Sequence, residues 1–203
     1  MHNPVMVGNR VYLRPMDLAD AGVFARATVE ERTQLMKTGR IPVSPLVWEH
    51  ALSGQPPAGP PDRIELTVAL VKDDRVLGSV ALLELDWINR SAETASYILF
   101  EDDRSLGYGT EAKMLLMEYA FDHLRLHVLN SWVRTTNTRS VAALMKQGFR
   151  PAGRKYWTGT KDGRYVDHLI FDVLREEWLA ARDAWRERQA SRTPSSAVSD
   201  DGS

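Results

Sequence analysis

Cysteine is absent from this 203-residue chain. Its absence removes disulfides, thiolate nucleophiles and cysteine metal ligands together. Histidine is scarce, five residues scattered along the sequence, and no metal site is expected. No apolar run reaches the roughly 18 residues of a membrane span, and no basic-then-apolar leader opens the chain. The formal net charge is −1, which supplies no footprint for nucleic acid or an anionic membrane. These absences lead to the expectation of a soluble cytoplasmic protein.

What is present is enough for one core. With 43% hydrophobic residues, residues 1–189 are expected to form a single domain. Residues 190–203 are polar and non-periodic, and are expected to be a disordered tail. No internal repeat is visible.

The most informative stretch is Arg104-Ser105-Leu106-Gly107-Tyr108-Gly109, an R-x-x-G-x-G loop. It follows the alternating pattern from Glu93 to Phe100 and opens a helical run from Thr110 to Leu124. Two glycines let the backbone turn tightly and approach a ligand, so that successive N–H groups converge on phosphate oxygens. The helix beginning there adds unpaired donors and the positive end of its dipole. Gly107 to Ala112 also fits G-x-G-x-x-A, a dinucleotide fingerprint. Four charged residues in a row, Glu101 to Arg104, argue for a solvated bend there and against a tight strand-to-helix turn. The structural alternative is a surface loop without a ligand.

Around the loop the chain alternates strand and helix. Residues 11 to 15 read as a strand, and Asp17 caps a helix to about Thr28. A less regular helical region follows to about Ser53, and Gly54 to Pro61, with four prolines and two glycines, is a loop. Ile64 to Val71, Val76 to Leu85 and Ala92 to Phe100 are strands joined by turns at Lys72–Arg75 and Asn89–Ser91. After the helix at 109 to 123, a strand at 127 to 134 pairs in parallel through a right-handed crossover. Asn137 caps the next helix and Gly148 ends it. Strands 149 to 157 and 165 to 174 pair around Asp162-Gly163, and a last helix runs from Arg175 to Gln189.

Four segments in this order resemble the GCN5-related N-acetyltransferases, over residues 9 to 175. They are Val11–Pro15 with Asp17–Ala21, Asp86–Glu93, the R-x-x-G-x-G loop with Thr110-Glu111-Ala112, and Asn137-Thr138-Arg139-Ser140 with Gly148-Phe149 and Asp162–Asp167. The branch they are most similar to acetylates ribosomal-protein N-termini, the RimJ/RimL type. The resemblance implies an α/β fold with a mixed, mostly antiparallel sheet of about seven strands, flanked by helices and splayed at its centre. It implies acetyl-CoA as co-substrate. Arg104, Ser105, Leu106, Gly107, Tyr108, Gly109 and Thr110 would hold the pyrophosphate, and Ile98, Leu99 and Phe100 would run beside the pantetheine. Asn137 would contact the cofactor besides capping its helix. Tyr108, at the variable position, is expected to face solvent.

Acetyl transfer from a thioester to an amine needs a neutral amine, oxyanion stabilisation and a thiolate that can leave. An alkyl ammonium near pKa 10 is protonated at neutral pH, so a base is required. Superfamily members that use a glutamate base have it at the position of Glu93, which makes Glu93 the expected base, acting through a water. The alternative is a salt-bridged glutamate on the outside of a hairpin. Glu84 and Asp86 share strand parity and either line the acceptor entrance with Trp87 or form a solvated face. Many relatives place a tyrosine four residues before Gly-Phe; here that residue is Leu144, and the branch instead offers Ser140 to the leaving sulfur. Trp157 and Trp87 either wall a cleft or pack a sheet edge. A protein N-terminus and a small-molecule amine both stay open as acceptor, as do a homodimer and a non-catalytic acyl-CoA-binding module on the same fold.

Overall fold

The computed structural model describes residues 1–30, 43–54, 59–161 and 163–191, with the side chain of Lys161 outside them. The expected irregular region at 31–42, part of the Pro/Gly loop (55–58), Asp162 of the hairpin turn and most of the tail fall outside. One eight-stranded sheet runs in the order β1-β2-β3-β4-β5-β6-β8-β7. The strands are β1 (Met6–Val7), β2 (Val11–Pro15), β3 (Ile64–Leu70), β4 (Val76–Asp86), β5 (Ser91–Ile98), β6 (Val128–Arg134), β7 (Arg150–Lys161) and β8 (Arg164–Leu174). Every neighbouring pair is antiparallel except β5 and β6, which are parallel. The sheet gains β1, a two-residue edge strand, over the expected seven.

Among the described residues five α-helices flank it: α1 (Ala21–Glu30), α2 (Pro45–Leu52), α3 (Tyr108–Glu118), α4 (Thr138–Lys146) and α5 (Arg175–Ala190). Asp17 caps the 3-10 turn before α1 by accepting from the Ala19 N–H, and Asp20 answers back to the Asp17 N–H in a capping box. The buried face of α1, Phe24 and Ala27, packs with Val76 and Leu99 on one side of the sheet, joined by Trp48 from α2. On the other side, Ala112, Leu115 and Leu116 of α3 meet Val80, Leu82, Ala92 and Leu129, together with Leu144, Phe149 and Trp178. Trp178 of α5 is fully buried, and an indole of that size contributes several kcal/mol, as the roughly 3–5 kcal/mol lost on truncating such residues indicates.

Two boundaries differ from the expected ones. The long helix is α-helical only to Glu118 and then widens into a π turn, Tyr119–His123, closed by the Leu124 N–H on the Tyr119 carbonyl at 3.0 Å. The central strand ends at Ile98, two residues short, because Phe100 opens a 3-10 turn over Glu101–Asp103. Gly148 does end α4: at φ +94° its N–H bonds Met145, and the Phe149 N–H bonds Leu144, the two bonds of a Schellman motif. His123 and His127 share an H-x-x-x-H spacing, but His123 lies in the π turn and His127 beyond it. Among the described residues no cluster could hold a metal ion, and no helix is long and apolar enough to cross a membrane.

Candidate active site

The site is set by a seam. β5 and β6 pair at only three positions, Ser91↔Val128, Ala92↔Leu129 and Glu93↔Asn130, although both strands run on. Beyond Glu93 the two strands separate. At the vertex the Thr94 hydroxyl donates to the Asn130 carbonyl at 2.9 Å, and the Ser131 hydroxyl donates to the Thr94 carbonyl at 3.2 Å. Two side chains thus close the ladder where the backbones part.

Which groups face the opening follows from parity. The Leu99 N–H donates to the Leu77 carbonyl at 2.9 Å, and Leu77 stands opposite Leu99 because Gly78 pairs with Ile98. Counting back by twos, Tyr97, Ala95 and Glu93 turn their peptide groups to β4, while Ile98, Ser96 and Thr94 turn theirs toward β6. The expected trio is therefore revised. Ile98 presents its backbone to the opening, but the Leu99 N–H is spent on β4, and the Leu99 and Phe100 side chains pack in the α1–α2 core. Ser96, which sequence reasoning passed over, joins Ile98.

The R-x-x-G-x-G loop borders the open end of this seam. Ser105 (φ +64°) and Gly107 (φ +88°) both turn left-handed, and no side chain caps the N-terminus of α3. That leaves the first turn's donors and dipole for an anion. Gly109 lies against Ile98: a Cβ there would stand 3.3 Å from its Cγ1. Arg104 donates to the Ile98 carbonyl at 3.0 Å and the Leu99 carbonyl at 2.8 Å, holding the end of β5. Tyr108, expected in solvent, instead packs against the core with Arg10 stacked 4.9 Å from its ring centroid. A clasp from the turn between β1 and β2 shapes the loop. Arg10 donates to Leu106 O at 2.9 Å, and the fully buried Glu111 accepts from the Arg10 N–H at 2.8 Å and from Arg10 Nε at 2.9 Å. Nothing local in the sequence signals that pairing across the chain.

Across the opening, Asn137 accepts from the Ser140 N–H at 3.2 Å as the cap of α4, and Arg139 reaches the Ser105 hydroxyl at 3.4 Å. Thr110 and Ser140 are both half-buried in the first turns of their helices. The sheet's two faces divide the remaining groups. Ala92 packs with α3, so alternation puts Glu93 on the other face with Tyr97 and Leu99. On that face lie Asn130 and Trp132 of β6, both exposed. Trp132 lies 4.5 Å from the ring of His168, whose Nδ1 meets Thr158 Oγ1 at 2.7 Å. Burial together with the charges of Arg134 and Lys155 lowers the His168 pKa, favouring the neutral ring.

The other carboxylates are arranged differently from their expected parity. A bulge between Leu83 and Asp86, with Glu84 at φ +51°, breaks the alternation, so Glu84 and Asp86 do not share a face by strand parity. Glu84 is exposed. Asp86 accepts from the Ile88 and Asn89 N–H groups and from Asn89 Nδ2, at 3.0, 2.8 and 2.7 Å. Those bonds close the turn and hold its carboxyl below the usual range. Trp87 donates from Nε1 to the Pro61 carbonyl at 2.8 Å, and Trp157 lies exposed on a bulge of β7.

On the α3 face one residue stands out from its surroundings. Lys113 is 2% exposed among Ala112, Leu116 and Phe149, its Nζ 5.7 Å from the Phe149 ring centroid. Burial pulls its pKa from 10.5 down to about 7, the charge of Glu93 opposing part of the drop. Its signal was available in the sequence, where a lysine interrupts the apolar run Ala112–Met117 of α3, every residue of which is buried.

Comparison with known proteins bears on the family and the fold. Residues 10–150 match the family described as "Acetyltransferase (GNAT) domain". Among curated relatives, "Probable N-acetyltransferase YjcK" of Bacillus subtilis is 26% identical over 180 residues, covering 85% of this chain and 98% of that protein. The fold is shared with a spermidine N-acetyltransferase SpeG chimera from Vibrio cholerae and hSSAT, at TM-score 0.74, 20% identity and coverage of 84% and 99% of the two chains. It is also shared with Mycobacterium smegmatis RimJ in complex with CoA-disulfide, at TM-score 0.73, 22% identity and coverage of 91% and 96%.

Proposed function

The chain belongs to the GNAT acetyltransferase family, and from that premise we propose that it moves the acetyl group of acetyl-CoA to a primary amine by direct attack in a ternary complex. Residues 1–189 act in this reading as one catalytic unit. The observation that carries it is the opened β5–β6 seam, with an uncapped helix N-terminus at its end. Only a ligand that is both extended and anionic uses the two together. The Ser96 peptide group and the Ile98 N–H would pair with a pantetheine-like amide chain, the Ile98 carbonyl being held by Arg104. The backbone of residues 104–110 would receive its pyrophosphate.

The chemistry of the residues follows from the two faces. Glu93, half-buried on the open face, draws a proton from the incoming amine through a water. Peptide N–H groups facing the opening are fixed dipoles for the developing oxyanion, an effect worth about 3–4 kcal/mol for one such donor. Ser140, half-buried in the first turn of α4, would hydrogen-bond the sulfur in this reading. The acceptor would enter over Glu93, Asn130 and Trp132. A carboxylate beside an exposed indole suits a cationic amine, whether a peptide N-terminus or a polyamine of the kind named for the SpeG neighbour.

The test is a melting experiment followed by an amine panel. Acetyl-CoA at a hundred times its Kd should raise Tm by about 5–10 °C, from roughly 2.7 kcal/mol of linkage, and NAD should not. Short N-terminal peptides, spermidine, an aminoglycoside and free amino acids are then offered with labelled acetyl-CoA. Acetylation of an amine is the expected result. Stabilisation by CoA with no amine acetylated would replace the enzyme with a binding module.

A further inference from the structure

A lysine whose ammonium lies in an apolar interior is costly to keep unless its proton has a use. Lys113 meets the seam from below. Gly109, one helical turn earlier, rests on Ile98. Because α3 runs back along β5, a turn of about 5.4 Å brings Lys113 alongside Ser96, toward the vertex at Thr94. Its Nζ lies 5.7 Å from the ring centroid of Phe149, in the core that α3 shares with Leu129 of β6. Glu93 acts on it by charge from the opposite face. Leu144, which faces the same core, is apolar and offers no proton.

We infer that Lys113 is the proton donor to the departing CoA sulfur, an assignment that rests on the acetyl-transfer reading above. The balance is simple. The amine nitrogen forms a bond to the acetyl carbon, and the carbon–sulfur bond breaks with its electron pair on sulfur. A proton moves from Lys113 Nζ to that sulfur, while the proton displaced from the amine leaves through Glu93 to water. Lys113, now neutral, is reprotonated from solvent as the site opens. The two proton transfers are thereby assigned to opposite faces of one opening. A pKa of about 7 suits a group that must give up its proton readily and recover it at neutral pH.

The decisive measurement is the ionisation of the thiol of bound CoA, read from thiolate absorbance in the full-length protein. Lys113 and the thiol titrate as a coupled pair, the ammonium–thiolate form competing with the neutral one, so thiolate absorbance should begin about one pH unit or more below its onset in Lys113→Met. Methionine fits an apolar cluster, and turnover should fall about 10²-fold with the acetyl-CoA KM unchanged. Lys113→Arg separates charge from proton: it should keep the low thiol pKa and still lose turnover, because a guanidinium does not release its proton. Equal thiol pKa values in wild type and Lys113→Met, with CoA bound to both, would overturn the assignment and leave the acetyl-transfer reading intact. Failure of CoA to bind the wild type would overturn both.

Discussion

Strand β6 is paired along its whole length with β8, seven positions from Val128 to Arg134, and at only three positions with β5. The same strand, with the same residues, makes one complete seam and one broken seam. The opening is therefore not a weakness of β6. It arises where β5 turns into the 3-10 segment and the glycine loop, and its vertex is fixed by one side chain from each strand, Thr94 of β5 and Ser131 of β6. The complete seam supplies rigidity, and on the proposed function the broken one would supply peptide groups to a ligand.

Substitutions can break this comparison. The largest effect is expected from Ser96→Pro. Its N–H faces the opening, so proline removes no ladder bond, and the free protein should lose less than about 4 °C in Tm. The acetyl-CoA-induced shift should vanish. A free protein that melts far lower would mean that Ser96 is paired within the protein. Next comes Glu93→Gln, which should lower kcat about 10²-fold at neutral pH and leave acetyl-CoA affinity nearly untouched. Activity should partly return at higher pH, where more amine is already neutral; an equal loss at every pH would make Glu93 a structural residue. The smallest effect is expected for Thr94→Val, which loses one hydrogen bond at the vertex, about 1 kcal/mol or 2–4 °C in Tm. If the seam is sharply defined by that stitch, the KM for acetyl-CoA rises while kcat holds. An unchanged KM would show the vertex to be set by β5 and β6 backbones alone.

Much of the sheet was legible because its punctuation is local. Asp17, Asn137 and Gly148 each announce a helix end through their own side chain or lack of one. The hairpins at Lys72–Arg75 and around Gly163 carry turn residues between alternating strands. The site was legible only where a local motif stood for it, as at Gly107 and Gly109. The bulge at Glu84 escaped because a non-glycine residue at φ +51° leaves no mark in composition. The early end of β5 escaped because Leu99 and Phe100 continue its apolar pattern while packing against α1. The pairing of Arg10 with Glu111 escaped because each finds its partner about a hundred residues away.

That last pair has a kinetic consequence. The clasp joins residues 101 positions apart in the chain, so it cannot form until the first strand has been zipped into a sheet built mostly from later sequence. Closing such a long loop is entropically late in folding. The loop at 104–109 thus acquires its final shape only when the edge of the sheet is complete. On the function proposed above, capacity to bind the acetyl donor would follow the completion of folding, and partly assembled chains would not sequester it.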